Sequence, residues 1–163
     1  MNVTLKKGRT ITLRHKTNDD GEALGEMLDS CSDRTYYFFH PYPLTYESGL
    51  RVAANEKIIC FVAFADGDEA VGYIWMERDG DVPGLGICVQ DGWQGLGIGR
   101  TLMARIIAEA KELGKFGLQL TVMQDNLNAV ALYQSVGFII DGDAPDSMGS
   151  SYHMTLQLAG GET

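Results

Sequence analysis

Between Val89 and Thr101 the chain reads Val-Gln-Asp-Gly-Trp-Gln-Gly-Leu-Gly-Ile-Gly-Arg-Thr, a glycine-rich stretch joining a strand-like run to a helical one. Upstream, Gly84 to Val89 reads as a short strand. Downstream of Arg100, Leu102, Met103, Ile106, Ile107, Ala110 and Leu113 recur on one helical face, while Arg105, Glu109 and Glu112 lie off it. Exposed backbone N–H groups at such a helix start attract phosphate oxygens, and the helix dipole adds to the attraction. Glycines let the backbone adopt positive φ and come close to the anion. The junction therefore predicts a phosphate-binding turn.

Two common phosphate loops do not fit it. A nucleoside-triphosphate loop needs glycine, four residues, then Gly-Lys-Ser/Thr. Ending at Gly99-Arg100-Thr101, it would start on Gln94 and carry Arg100 in place of lysine. The dinucleotide fingerprint G-x-G-x-x-G fails at Arg100 when begun at Gly95, and at Leu102 when begun at Gly97. The pattern that is present is Gln94-x-x-Gly97-x-Gly99.

The rest of the chain alternates short strands and helices. Arg9 to His15 alternates as a strand. Asn18 or Asp19 caps a helix carrying Ala23, Leu24, Met27 and Leu28. In the aromatic run Tyr36 to Pro43, Pro41 and Pro43 block a regular helix, and Tyr46 to Asn55 forms a short one. Strands follow over Lys57 to Ala65 and Ala70 to Glu77, with turns at Asp66-Gly67-Asp68 and Asp79-Gly80-Asp81. After the long helix, stopped by Gly114, Phe116 to Met123 is a strand. A last helix runs from its cap at Asp125 or Asn126 to Ser135, and Phe138 to Asp141 and Tyr152 to Leu158 close the fold. Hairpins come early and β-α units late, so the expected class is α/β with a mixed sheet. The 163 residues suit one domain, 1–163, with a core of about 9–158.

The last helix carries a second pattern, Asn126-x-x-Ala129-x-x-Leu132-Tyr133-x-x-x-Gly137-Phe138. Together the two motifs resemble those of the Gcn5-related N-acetyltransferase (GNAT) family, and the resemblance spans about Arg9 to Leu158. It implies the GNAT fold, with splayed central strands, and acetyl-CoA as acyl donor. It implies that the backbone of Gln94, Gly95, Leu96, Gly97, Ile98, Gly99 and Arg100 wraps the pyrophosphate. The strand Ile87-Cys88-Val89 is expected to bear a bulge, to splay from the strand near Thr121, and to bind the pantetheine arm. An N–H of that strand would polarise the thioester carbonyl. Tyr133 would be the general acid that protonates the leaving thiolate, its alternative being a core aromatic. Asn126 would cap its helix, contact the cofactor, or both. Cys88 contributes backbone; a covalent acyl-cysteine route is the alternative.

The general base is less defined. Some relatives use a glutamate on the strand that here reads Leu85 to Val89, and others one at the position of Thr121; neither is acidic here. Glu77 is the first candidate catalytic base, with Asp79, His40 and His153 behind it. The aromatic run 36–42 lies where the family places acceptor contacts; its alternative role is a hydrophobic lid. The expected acceptor is a small-molecule amine or amino sugar. Peptide lysine, a longer acyl donor, and a non-catalytic CoA-binding module are the alternatives.

Charge and composition bound the partners. The net charge of −9 and the lack of a basic stripe argue against nucleic acid. The negative field either attracts a cationic amine or serves solubility alone. No apolar run is long enough to span a bilayer, and no secretory stretch opens the chain, so a cytoplasmic protein with no membrane partner is expected. Cys31, Cys60 and Cys88 are too scattered for a disulfide framework or a zinc site, so no metal is expected. Relatives of this kind are often dimers, and a homodimer paired through the closing strands is carried as an expectation.

Overall fold

The computed structural model describes residues 1–158, so the last five residues of the expected 1–163 domain lie outside the described residues. Strands β1 (Asn2–Thr4), β2 (Thr10–His15), β3 (Ile58–Phe64), β4 (Ala70–Glu77) and β5 (Leu85–Val89) form an antiparallel sheet in chain order. Strands β6 (Gly117–Met123), β7 (Ile139–Asp146) and β8 (Gly149–Gln157) form a second antiparallel sheet, ordered β6-β8-β7. Helices α1 (Gly21–Asp29), α2 (Asp33–Phe38) and α3 (Tyr46–Ala54) separate β2 from β3; α4 (Ile98–Glu112) joins β5 to β6, and α5 (Leu127–Ser135) joins β6 to β7.

The two sheets meet at one parallel bridge, Gly84 to Gln119. The loop before β5 stitches that end together. Phe116 N–H donates to Asp81 O at 2.8 Å, Gln119 N–H to Pro83 O at 3.1 Å, and Gln119 Nε2 to Val82 O at 2.7 Å. Beyond the bridge no ladder joins β5 to β6. The parallel central pair within otherwise antiparallel sheets is the expected mixed, splayed arrangement. The expected bulge in β5 is absent: its register with β4 runs unbroken from Gly72–Val89 to Met76–Leu85.

β3 is buried along its whole length, because both faces of the sheet are covered. Ile59, Phe61 and Ala63 join a cluster under α4, with Leu102, Met103 and Ile106. Ile58, Cys60, Val62 and Phe64 join a second cluster under α1 and α3, with Leu24, Leu28 and Val52. This is the period of two expected of a strand between two layers. α1 and α3 approach so closely that a Cβ on Gly49 would lie 2.2 Å from Gly25 N. α4 closes with Gly114 at φ 71° and Lys115 N–H on Ala110 O. Leu113, expected on its buried face, is half exposed at that cap.

Four elements differ from expectation. β1 precedes the expected first strand; its three residues are too few for a periodic signal. α2 occupies the aromatic run's first half. Ser32 caps it, accepting from Thr35 N–H, and it ends at Phe38, ahead of the backbone that Pro41 constrains. β7 continues past Asp141 to Asp146, and β8 starts at Gly149; Pro145 is tolerated because β7 is an edge strand.

Candidate active site

The splay opens a cleft of about 660 Å³, walled by Leu85 to Val89 on one side and Leu120 to Met123 on the other. The glycine turn and the start of α4 form one end. Gln94 braces this turn, donating from Nε2 to Val89 O at 3.0 Å and to Thr35 Oγ1 at 3.1 Å. Gly95 and Gly97 have φ of 78° and 99°, which side-chain-bearing residues rarely adopt. Gly97 is the N-cap of α4 and supplies no side-chain cap, so the first-turn N–H groups of Ile98, Gly99 and Arg100 have no intrahelical partner. Lys6 and Arg100 add positive charge at the same end. Open donors, a helix start and two cations in an acidic chain fit a polyphosphate.

Midway along the cleft, Ile87, Cys88 and Val89 present the β5 edge that β6 leaves unpaired. The neighbouring Cys31 thiol and burial hold the Cys88 thiol well above its ordinary range. A thiol raised in this way is a poor nucleophile, which weighs against the acyl-cysteine route. Across from it, α5 presents Tyr133, buried yet lining the cleft. Its ring packs against Phe138 at 6.0 Å between centroids. Burial pushes the Tyr133 phenol well above its usual range, so it carries its proton. Asn126 lines the cleft while its Oδ1 accepts from Ala129 N–H at 3.4 Å, so it is a cap placed at the site.

The far end is built by Phe38, the last residue of α2, and by Phe39, His40 and Pro41 after it, with Trp75, Asp146 and Ser151. α2 is fixed from below by Asp91, whose Oδ1 accepts from Ser32 N–H at 3.1 Å and from Thr35 Oγ1 at 3.0 Å. Burial would raise the Asp91 carboxyl, but these bonds outweigh it and hold it below the ordinary carboxylate range.

Of the expected site residues, Ile87, Cys88, Val89, Gln94, Gly95, Gly97, Ile98, Gly99, Arg100, Asn126 and Tyr133 line this cleft. Two do not. The Leu96 side chain is buried in the core under α4, and its carbonyl accepts from Lys6 N–H at 3.1 Å. Glu77 is exposed one step beyond the cleft, opposite Gly84, with its carboxylate over that glycine, and it does not line the wall. Asp79 and His153 are also off the cleft; His153 is held by Asp141 and by Gln119 Oε1. Among the four base candidates His40 alone lines the cleft. Its two ring nitrogens already face acceptors, so it offers no free lone pair. Sequence reasoning missed Trp75 and Asp146. Trp75 is a large aromatic in a strand, with no pattern to separate it from the core. Asp146 is 106 residues from its partner.

A family model described as the acetyltransferase (GNAT) family matches residues 24–138. The chain is 30% identical over 138 residues to the L-amino acid N-acetyltransferase AaaT of Escherichia coli strain K12, covering 81% of this chain and 85% of that protein. The chain belongs to the acetyltransferase (GNAT) family. Another relative is the spermine/spermidine N(1)-acetyltransferase of Bacillus subtilis strain 168, 27% identical over 149 residues, covering 82% of this chain and 91% of that one. Among solved structures, the fold matches yncA of Salmonella typhimurium, a structure with acetyl-CoA, at a TM-score of 0.75 and 23% identity over 91% of this chain and 94% of that one. The GNAT fold accounts for the splay between β5 and β6. No helix among the described residues is long and apolar enough to cross a membrane.

Proposed function

We propose that this GNAT acetyltransferase moves an acetyl group from acetyl-CoA to the primary amine of a small molecule by direct attack on the thioester. The observation that carries the reading is the continuity of one cleft, from open N–H groups at the glycine turn to the protonated Tyr133 phenol. Acetyl-CoA supplies the activated acyl carbon. The N–H groups of Ile98, Gly99 and Arg100 bind the pyrophosphate, with Lys6 and Arg100 as counter-charges. The free β5 edge at Ile87 to Val89 holds the pantetheine arm and polarises the carbonyl oxygen. Tyr133 offers its proton to the sulfur as negative charge grows there.

The amine proton leaves without a dedicated carboxylate base. Asp146 is the one carboxylate among the described cleft residues, and His40 occupies it. An amine that arrives neutral, or that loses its proton to water, fits this wall. The acceptor end is mostly apolar and aromatic, from Phe38, Phe39, Pro41 and Trp75. A small amine of the amino-acid or polyamine class, as named for the two relatives, suits it.

The test is acetyl transfer from acetyl-CoA to a panel of L-amino acids, polyamines and amino sugars, with products identified by mass. Acetylation of one panel member is the expected result. Transfer only to peptide lysines, or binding of acetyl-CoA without transfer to any amine, would overturn the small-molecule reading.

A further inference from the structure

His40 and Asp146 face each other across the acceptor end of the cleft. His40 lies in the connection between α2 and α3, and Asp146 ends β7. Asp91 and Gln94 tie α2 to the β5 side, whereas β7 belongs to the sheet that contains β6. A bond between His40 and Asp146 therefore spans the splay. His40 Nε2 lies 2.8 and 2.9 Å from the two carboxylate oxygens of Asp146, and Nδ1 lies 3.1 Å from Tyr36 O.

A carbonyl oxygen and an ionised carboxylate only accept hydrogen bonds. Nε2–H donating to the ionised Asp146 carboxylate is a charge-assisted bond that holds the ring in place. Asp146 Oδ1 also accepts from Met148 N–H at 2.8 Å, which fixes the carboxylate at the turn into β8. The side chains are only 12% and 19% exposed, so water screens the pair weakly. A second tie, Tyr37 Oη to Asp125 Oδ2 at 2.8 Å, crosses nearby at the surface.

Resting on the acetyltransferase reading of the cleft, we propose that the His40–Asp146 bridge is a positioning element for the acceptor: it latches the α2–α3 connection onto the β7–β8 hairpin and so forms the wall against which the amine is held. The pair lines the cleft at the end away from the glycine turn. Breaking it should loosen the acceptor end and leave the phosphate end intact. His40 acts here through the wall it closes, not as a base.

The test compares the wild-type protein, His40→Gln, Asp146→Asn and the double variant, using steady-state kinetics on the best acceptor and calorimetry with acetyl-CoA. Each single variant should raise the acceptor KM about tenfold, the loss expected for one charge-assisted bond. The kcat and the acetyl-CoA affinity should stay near wild type. The double variant should be no worse than either single one, because both remove the same bond. An unchanged acceptor KM, or additive effects, would overturn the latch. Amide hydrogen exchange over residues 36–44 reads the latch without turnover. Faster exchange in both single variants is expected, and wild-type exchange rates would overturn it. Loss of transfer in the wild-type protein would count against the acetyltransferase reading instead.

Discussion

Trp75 lies across Gly86, its ring in the space a side chain would take: a Cβ on Gly86 would come 2.6 Å from both Cε2 and Cζ2 of the indole. The two residues are register partners on β4 and β5, and both line the cleft. Gly86 thus lets a large aromatic cover the strand edge where the thioester is proposed to sit. The indole Nε1 is buried and has no hydrogen-bond partner among the described residues.

Gly86→Ala must move that ring. Overpacking a tight site typically costs about 1 to 3 kcal/mol. Denaturant unfolding should give a loss of stability in that range, together with a changed Trp75 emission. Wild-type stability with unchanged emission would contradict the packing described.

Asp20 makes the clearest acid-sensitive contact outside the cleft. Its carboxylate takes two bonds from Arg14, at 2.8 and 2.9 Å, and one from Thr17 N–H at 2.6 Å. Burial would raise the carboxyl, but the bonds from Arg14 and Thr17 outweigh it and hold it below the ordinary range. A depressed folded-state pKa contributes stability above the unfolded value of about 3.9. That stability is lost as pH falls through the folded pKa. Asp20→Asn should cost about 1 to 2 kcal/mol at neutral pH, a figure reduced for the exposure of Arg14. The difference from wild type should shrink below about pH 4. A gap that stays constant down to pH 2 in urea melts would contradict this.

Tyr133 and Cys88 separate the two chemical routes. Tyr133→Phe should lower kcat about a hundredfold and leave acetyl-CoA binding unchanged. Stability should change little, because the hydroxyl has no partner among the described residues. Cys88→Ala should still transfer acetyl groups, since the thiol packs in the buried cluster under α1 and α3 and the strand contributes its backbone. Full activity in Tyr133→Phe, or an acyl-enzyme trapped on Cys88, would reverse these roles.

What the chain disclosed before its structure follows physical lines. The glycine turn was legible because positive φ at Gly95 and Gly97 demands glycine at fixed spacing. Leu24, Met27 and Leu28 on α1, and Leu102, Met103 and Ile106 on α4, were legible because burial imposes a period on side chains. α2 was hidden, since its six residues are held by the Ser32 cap and by Asp91, not by an apolar face. Glu77 looked placed for a base because it ends a central strand. Yet the cleft stops one residue pair short of it, and strand register cannot be read from one strand alone. The His40–Asp146 bridge joins residues far apart in sequence, so no local pattern announces it.

In the proposed function, the glycine turn binds the pyrophosphate of acetyl-CoA and so orders the whole cleft. Calorimetric titration of acetyl-CoA into the wild-type protein and into Gly97→Glu tests it most directly. Saturable one-site binding by the wild-type protein is expected. No measurable binding is expected of Gly97→Glu, whose side chain meets strain at φ 99° and sets a carboxylate against the phosphates. Equal affinity in a folded Gly97→Glu variant, or no binding by the wild-type protein, would contradict it.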